Sequence, residues 1–221
     1  ERLQLIHAHG IKNVRVLDRT FNYNPRRAKE LLRLFLEFHP DIRFHLEIHP
    51  ALLSEELKEE LSLLPKGLLH LEAGIQSLRE PVLEKSRRMG KLSDALDGLR
   101  FLCALPNMET HADLIAGLPL YHLHEIFEDV RTLAGYAAGE IQLESLKLLP
   151  GTEMRRRAEE LGIKYSPLPP YEVLQTHEIS VSELQTARQL SRLLDGFYNT
   201  PAWQALTREL ILNDEQFLHR F

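Results

Sequence analysis

LHLEAGIQS, residues 69–77, is an apolar run that stops at a carboxylate, two small residues, an amide and a hydroxyl. Gly67 precedes it, and "LLHLE" (68–72) reads as a strand with its polar groups gathered after it. Upstream, "RFHLEI" (43–48) alternates like a strand and "VRVL" (14–17) is a shorter one. Between those two, Asn24 suits an N-cap and Pro25 a first helical position, with apolar residues following at Ala28, Leu31, Leu32, Phe35 and Phe38. Ser54 caps a helix ahead of Gly67, and residues 1–9 put Leu3, Ile6 and His7 on one helical face before a stop at Gly10. Downstream, the pattern predicts helix over 93–104, strand over 109–115, helix over 124–134 and strand over 140–149. A last helix, 152–161, opens at Thr152 and closes at Gly162.

The order is therefore one helix and then five strand–helix units. Strands joined by single helices run parallel, since each helix crosses back over the sheet. An α/β protein follows, either doubly wound or part of a β/α barrel. The leading helix has no strand before it and the chain does not begin with methionine, so a missing first strand is expected. An unpaired strand edge invites association, and self-pairing into a dimer through that edge is expected with it. After Gly162 the texture turns to Pro and polar residues, "KYSPLPPYEVLQTHEIS", which suits a surface connector, and residues 181–197 and 201–211 read as helices. The domains implied are a barrel over 1–164 and a connector with a helical extension over 165–221.

A chain of 221 residues, 43% hydrophobic and 27% charged, can bury one substantial core. Neither a run of about 20 apolar residues nor a basic-then-apolar leader is present, so the reading is cytoplasmic with no membrane partner. One cysteine, Cys103, excludes an intramolecular disulfide framework. A net charge of −5 gives no overall attraction to nucleic acid, and none is expected as a partner. The eleven histidines lie without ligand spacing, so no structural metal is expected. No Gly-rich phosphate loop, HExxH or GxSxG motif occurs.

Five polar clusters follow the five strands: "DRTFN" after Leu17, "EIHP" at 47–50, "EAGIQS" at 72–77, "AGLP" at 116–119 and "KLLPGT" at 147–152. Parallel β/α sheets bind ligands at the carboxyl ends of their strands, so five such ends point to one site. Asp18 is either part of that site or the cap of its own turn. Glu47 and Glu72, read as ending strands buried on both faces, need a partner or a polar cavity. Gly117 allows a close backbone approach, by a ligand or by a tight turn.

These strand ends resemble the radical S-adenosylmethionine (SAM) superfamily, in particular its cobalamin-binding branch with a C-terminal helical domain of unknown function. "VLDRTFNYNPRRAKELL" is similar to the second strand and helix of that branch, "HLEIHP" to the third strand, "LEAGIQS" with "VLEKSRR" to the fourth, "DLIAGLP" to the fifth and "IQLESLKLLPGTEMR" to the sixth. The resemblance implies a partial (β/α)6 barrel. It also implies a first strand leading into a CxxxCxxC loop that holds a 4Fe-4S cluster at which SAM is reductively cleaved. That loop is absent here, and Cys103 cannot replace it, so the chain by itself is expected to be inactive. By position, Asp18, Arg19 and Thr20 would edge the methionine part of SAM, and Glu47 would face SAM or substrate. Glu72, Gln76 and Ser77 would meet the ribose and SAM carboxylate, Ile115 and Gly117 the adenine, and Leu148, Pro150 and Gly151 its border. Two departures stand out: "LYH" replaces the usual Gly-Glu after Pro119, and Arg19 stands where an acid is common. Partners implied are an unknown substrate and a reductant protein, with cobalamin through an upstream domain.

Two other classes of function compete. One is a scaffold on a degenerate barrel, its helical tail recruiting a partner. The other is a metal-independent β/α-barrel hydrolase or lyase using Glu47 and Glu72 as acid and base.

Overall fold

A computed structural model of the chain describes residues 1–88 and 90–220. Five strands, β1 (Asn13–Arg15), β2 (Arg43–Ile48), β3 (Leu69–Gln76), β4 (Glu109–Ala116) and β5 (Glu140–Ser145), make one sheet in the order β1-β2-β3-β4-β5. Helices separate consecutive strands, as the spacing predicts, and the α/β order is that of a partial β/α barrel with a helical extension, the alternative that the resemblance implies. By internal contacts the chain clusters into two compact units, Glu1–Ile75 with Gly90–Ala112 and Ala137–Gly139, and Gln76–Met89 with Asp113–Tyr136 and Glu140–Phe221. Among the described residues no helix is long and apolar enough to cross a membrane.

In the first unit, β1 and β2 run parallel with Arg15 beside His45. β2 and β3 run parallel with His45 beside His70 and Glu47 beside Glu72. Alternation gives this sheet two chemistries. Phe44, Leu46 and Ile48 of β2 and Leu69, Leu71 and Ala73 of β3 are buried, while Arg43, His45, Glu47, His70 and Glu72 are the half-exposed alternate set. Helix α2 (Pro25–Leu36) covers the apolar side with Ala28, Leu32 and Phe35, and the Phe35 ring stacks on Phe44 at 4.1 Å. The Asn24 side chain accepts from the Arg27 N–H, so the start signals read correctly. Ser54 does the same for α3 (Glu55–Leu63), which buries Leu57 and Leu61. Helix α5 (Leu92–Ala104) buries Ala95, Gly98, Leu99 and Leu102 and packs on the single turn Pro50–Leu52 that follows β2.

Asn22 locks that end of β2 in place. It is 1% exposed; its Nδ2 donates to the His49 carbonyl at 2.8 Å and its Oδ1 accepts from the His49 N–H at 2.8 Å. Asn22→Ala removes both side-chain bonds from a buried peptide whose carbonyl keeps the Leu52 N–H at 3.0 Å, and urea unfolding is expected to show a loss of about 1–3 kcal/mol. A loss under about 0.5 kcal/mol, the usual size at a surface site, would mean that the Asn22 bonds do not hold this end of β2.

In the second unit, α6 (Leu123–Gly135) buries Ile126, Phe127, Val130 and Leu133, and α8 (Val181–Leu193) buries Leu184, Ala187, Leu190 and Leu193. Helix α9 (Pro201–Asn213) is tied to α6 where Arg208 donates to the Ala134 carbonyl at 2.8 Å. Asn199 mimics a strand partner for β5, accepting from Ile141 N–H at 2.9 Å and donating to its carbonyl at 3.0 Å. The segment read as a plain connector contains two short antiparallel strands, β6 (Lys164–Tyr165) and β7 (Val173–Gln175). β5, expected over 140–149, ends at Ser145: Leu146 N–H still reaches the Ala116 carbonyl at 2.9 Å, but the chain there also bonds to residues 171–173, Val173 N–H to Leu146 and Leu148 N–H to Tyr171, each at 2.8 Å. The prolines signal the bend between β6 and β7 and hide the strands beside it.

β3 requires the main correction. It does not stop at Glu72 but runs to Gln76, burying every second residue. Leu71, Ala73 and Ile75 face the core, and Glu72, Gly74 and Gln76 alternate with them. A strand with one polar side needs no boundary at a carboxylate.

Candidate functional site

The polar side of β1, β2 and β3 in the first unit is a network. Arg15 donates to Glu72 at 2.5 Å and lies 3.7 Å from Glu47, so one guanidinium serves two carboxylates that sit directly opposite each other. Like charges in that position repel unless a cation joins them. His45 Nε2 donates to the same Glu72 oxygen at 2.7 Å, and its ring stacks on His70 at 4.6 Å. Arg43 donates to His70 Nδ1 at 2.8 Å and pairs with Glu109. Since a guanidinium only donates, His70 is a neutral imidazole with its proton on Nε2. Burial, with His45, Arg43 and His111 nearby, pushes the His70 pKa down to about 4 against the opposing pull of Glu109. A cleft of about 310 Å³ opens beside this network, lined by Asn13, Val14, Arg15, Arg43, His45 and His70.

Asp18 lies past the end of β1. Its Oδ2 accepts from Arg27 at 2.7 Å and its Oδ1 from the Thr20 N–H at 3.2 Å. The bond from Arg27 holds its carboxyl below the usual range. It therefore caps its turn, while neighbouring Arg19 is exposed with no bond to any described residue. Glu47 is the penultimate residue of β2.

In the second unit, Gln76 takes a left-handed backbone with φ 71°, and Ser77 behind it is fully buried, its hydroxyl 3.4 Å from Asp129. Ile115 is half-buried near the end of β4. Gly117 has φ +92°, and a Cβ there would meet Val173 at 3.3 Å and Leu146 and Leu184 at 3.6 Å, so this glycine serves a tight turn against β7 and α8. Leu148 is buried, its carbonyl accepting from Arg155 at 3.0 Å. Pro150 is exposed, and Gly151, φ +82°, has open space where a Cβ would stand.

The sequence reading missed His45, His70, Arg15 and Arg43. The available signal was His-Leu-Glu at 45–47 recurring at 70–72, which the register places side by side. It missed Asp129 and Tyr121 too, which carry no motif.

Comparison with known proteins supplies the rest. Residues 159–218 match a family model described as "Protein of unknown function (DUF4080)". No curated protein matches the chain. Among solved structures, the radical S-adenosylmethionine methyltransferase TsrM from Kitasatospora setae, with cobalamin and a [4Fe-4S] cluster bound, is 20% identical over 81% of this chain, with a TM-score of 0.60. The same enzyme with tryptophan substrate and a SAM analogue bound gives 21% identity over 75% of the chain and a TM-score of 0.59. The archaeal Elp3 of Methanocaldococcus infernus gives 13% over 91%, with a TM-score of 0.58.

The chain shares the fold of these structures. It spans only 33–38% of the TsrM chains and 49% of the Elp3 chain. A radical SAM cluster needs thiolates, and the one cysteine here does not fit: Cys103 lies within α5, and burial pushes its thiol up to about 11, so it stays protonated.

Proposed function

We propose that this chain is the SAM-binding core of a radical SAM enzyme, acting on a substrate yet to be identified. The observation that carries the reading is the likeness in fold to TsrM over 81% of the chain, combined with unengaged polar groups at its strand ends. Arg19 and the Gln76 amide have no bond to any described residue, and Glu47 is held only loosely by Arg15 at 3.7 Å. Arg19 would meet the SAM carboxylate, Gln76 its polar ribose or methionine end, and Glu47 its amino group or the substrate. Glu72, committed to Arg15 and His45, would act behind them by fixing those two side chains. Asp18 and Thr20 shape the turn that presents Arg19, while Ile115, Gly117, Leu148, Pro150 and Gly151 would border the adenine. The cluster ligands would come from outside these 221 residues, as would any cobalamin.

The test uses the whole protein, reconstituted with iron and sulfide without air, reduced and given SAM. Release of 5'-deoxyadenosine is expected there and none from the 221-residue chain alone. A cluster-loaded whole protein that leaves SAM intact sinks the reading.

One observation favours a second reading. His45 with Glu72 is an imidazole oriented by a carboxylate beside a cleft, the arrangement of a proton-transfer pair. A hydrolase or lyase built on it would turn over in air, without iron or SAM, and would lose that activity in His45→Gln.

A further inference from the structure

The turn after β3 is held by a buried carboxylate. Asp129 lies within α6 and is 1% exposed. Its Oδ2 accepts from the Tyr121 hydroxyl at 2.6 Å and the Leu78 N–H at 2.8 Å, with the Ser77 hydroxyl at 3.4 Å. Its Oδ1 accepts from Arg79 Nε at 2.9 Å. Arg79 in turn donates to Glu128 at 2.6 Å, and its N–H donates to Ser77 Oγ at 3.1 Å. Three consecutive residues, 77–79, are thus tied to one carboxylate.

Immediately before them stands Gln76 with φ 71°. A non-glycine residue there is strained by about 1–2 kcal/mol, and such strain persists only where surrounding contacts over-determine it. A carboxylate buried in a helix–turn contact is a poor device for stability alone, because desolvation offsets most of the attraction. What it does well is enforce one geometry. Here the geometry enforced is that of Gln76, whose half-exposed side chain is left unbonded while Ser77 and Arg79, which follow it, are engaged.

We propose that Asp129 is a positioning residue that, through the 77–79 turn and together with Tyr121, fixes Gln76 in the pose that meets SAM. The inference rests on the reading of SAM binding above.

The test takes the 221-residue chain as wild type, Asp129→Asn, Tyr121→Phe and Leu133→Ala. The last removes a buried residue of the same helix without touching the network and controls for lost stability. Hydrogen exchange at the Leu78 amide and equilibrium dialysis with SAM are measured on each. In Asp129→Asn, Leu78 is expected to exchange at least about tenfold faster and the SAM Kd to rise about tenfold, equivalent to about 1.4 kcal/mol. Tyr121→Phe, which removes one donor and keeps the carboxylate, should shift both in the same direction by less, and it carries the test if Asp129→Asn does not fold. Leu133→Ala should leave both readouts unchanged. The proposal is overturned if Leu78 exchange is unaltered in the network variants, or if Leu133→Ala weakens SAM as much as they do. A wild-type chain that binds no SAM overturns the SAM reading instead. The positioning claim then stands or falls on Leu78 exchange and on the backbone coupling constant that reports the φ of Gln76.

Discussion

Gly98→Ala is expected to destabilise the first unit by about 3 kcal/mol, the upper end of what overpacking costs, although helix propensity alone predicts a gain of about 1 kcal/mol. Gly98 lies inside α5, where an ordinary helix would favour alanine. A Cβ there would stand 2.1 Å from the Pro50 carbonyl oxygen, 2.8 Å from its carbon and 3.2 Å from Leu53 Cδ1. The first two atoms are main chain, so no rotamer change relieves the clash. Either α5 retreats from the turn Pro50–Leu52 or the turn moves, and the turn follows His49, which Asn22 grips on both main-chain groups. The steric term therefore wins. Because that turn also terminates β2 just beyond Glu47, a displaced turn should loosen the polar network as well. Urea denaturation of the two proteins decides the matter, with an unchanged slope and a lower midpoint expected. A midpoint equal to or above wild type would show that the close approach of α5 to Pro50 is absent in solution.

The strand–helix alternation was legible because it rests on local signals. Asn24, Ser54 and Thr152 each accept from a backbone N–H at the start of a helix, and Gly10 follows the first helix with positive φ, but the helix expected over 152–161 is only Glu153–Arg156, so Gly162 turns the chain without ending a helix. What could not be read was sidedness. "LHLEAGIQ" mixes apolar and polar residues in strict alternation, and by composition alone a strand ending in polar groups resembles one with a polar face. Deciding between them needs the neighbouring strand, whose His45 and Glu47 fall beside His70 and Glu72 only once the register is known. The same holds for Arg15, which looks like a solvated strand-end charge until Glu72 comes within 2.5 Å. Asp129 was illegible for a related reason: on α6 it is one acid among several, and its partners lie eight or about fifty residues away. Gly117 was flagged correctly as a conformational requirement, and the structure assigns the cause to Val173 and Leu184 packing against it. The strands at 164–165 and 173–175 went unread because each is too short for periodicity to register.

Acid should unfold the first unit earlier than its carboxylates require, and His70 is the reason. Its ring is buried between His45 and His111, its side chain is 14% exposed, and Arg43 occupies its Nδ1. Protonation would put a second cation against Arg43 and remove the lone pair that accepts from it. The folded chain accordingly keeps His70 neutral down to about 4, whereas the unfolded chain protonates it near 6.5. Between those values the unfolded state binds the extra proton, so stability rises with pH. The contribution is complete above about 6.5 and is lost progressively as pH falls to about 4, amounting to about 3 kcal/mol. Asp18, Asp41 and Glu60, whose pKa values are lowered by Arg27, His7 and Arg33, lose their own contributions as pH falls from about 4.5 downward, and because they are common to both proteins they cancel in a comparison with a His70 variant. His70→Gln keeps a side-chain acceptor for Arg43 but cannot titrate. The difference in unfolding free energy between wild type and His70→Gln, followed from pH 7 to pH 4.5, should therefore move steadily against the wild type as the solution is acidified. A difference that stays constant across that range would mean that His70 takes up its proton as readily in the fold as outside it, and the stacked, neutral imidazole at the base of the polar network would have to be abandoned.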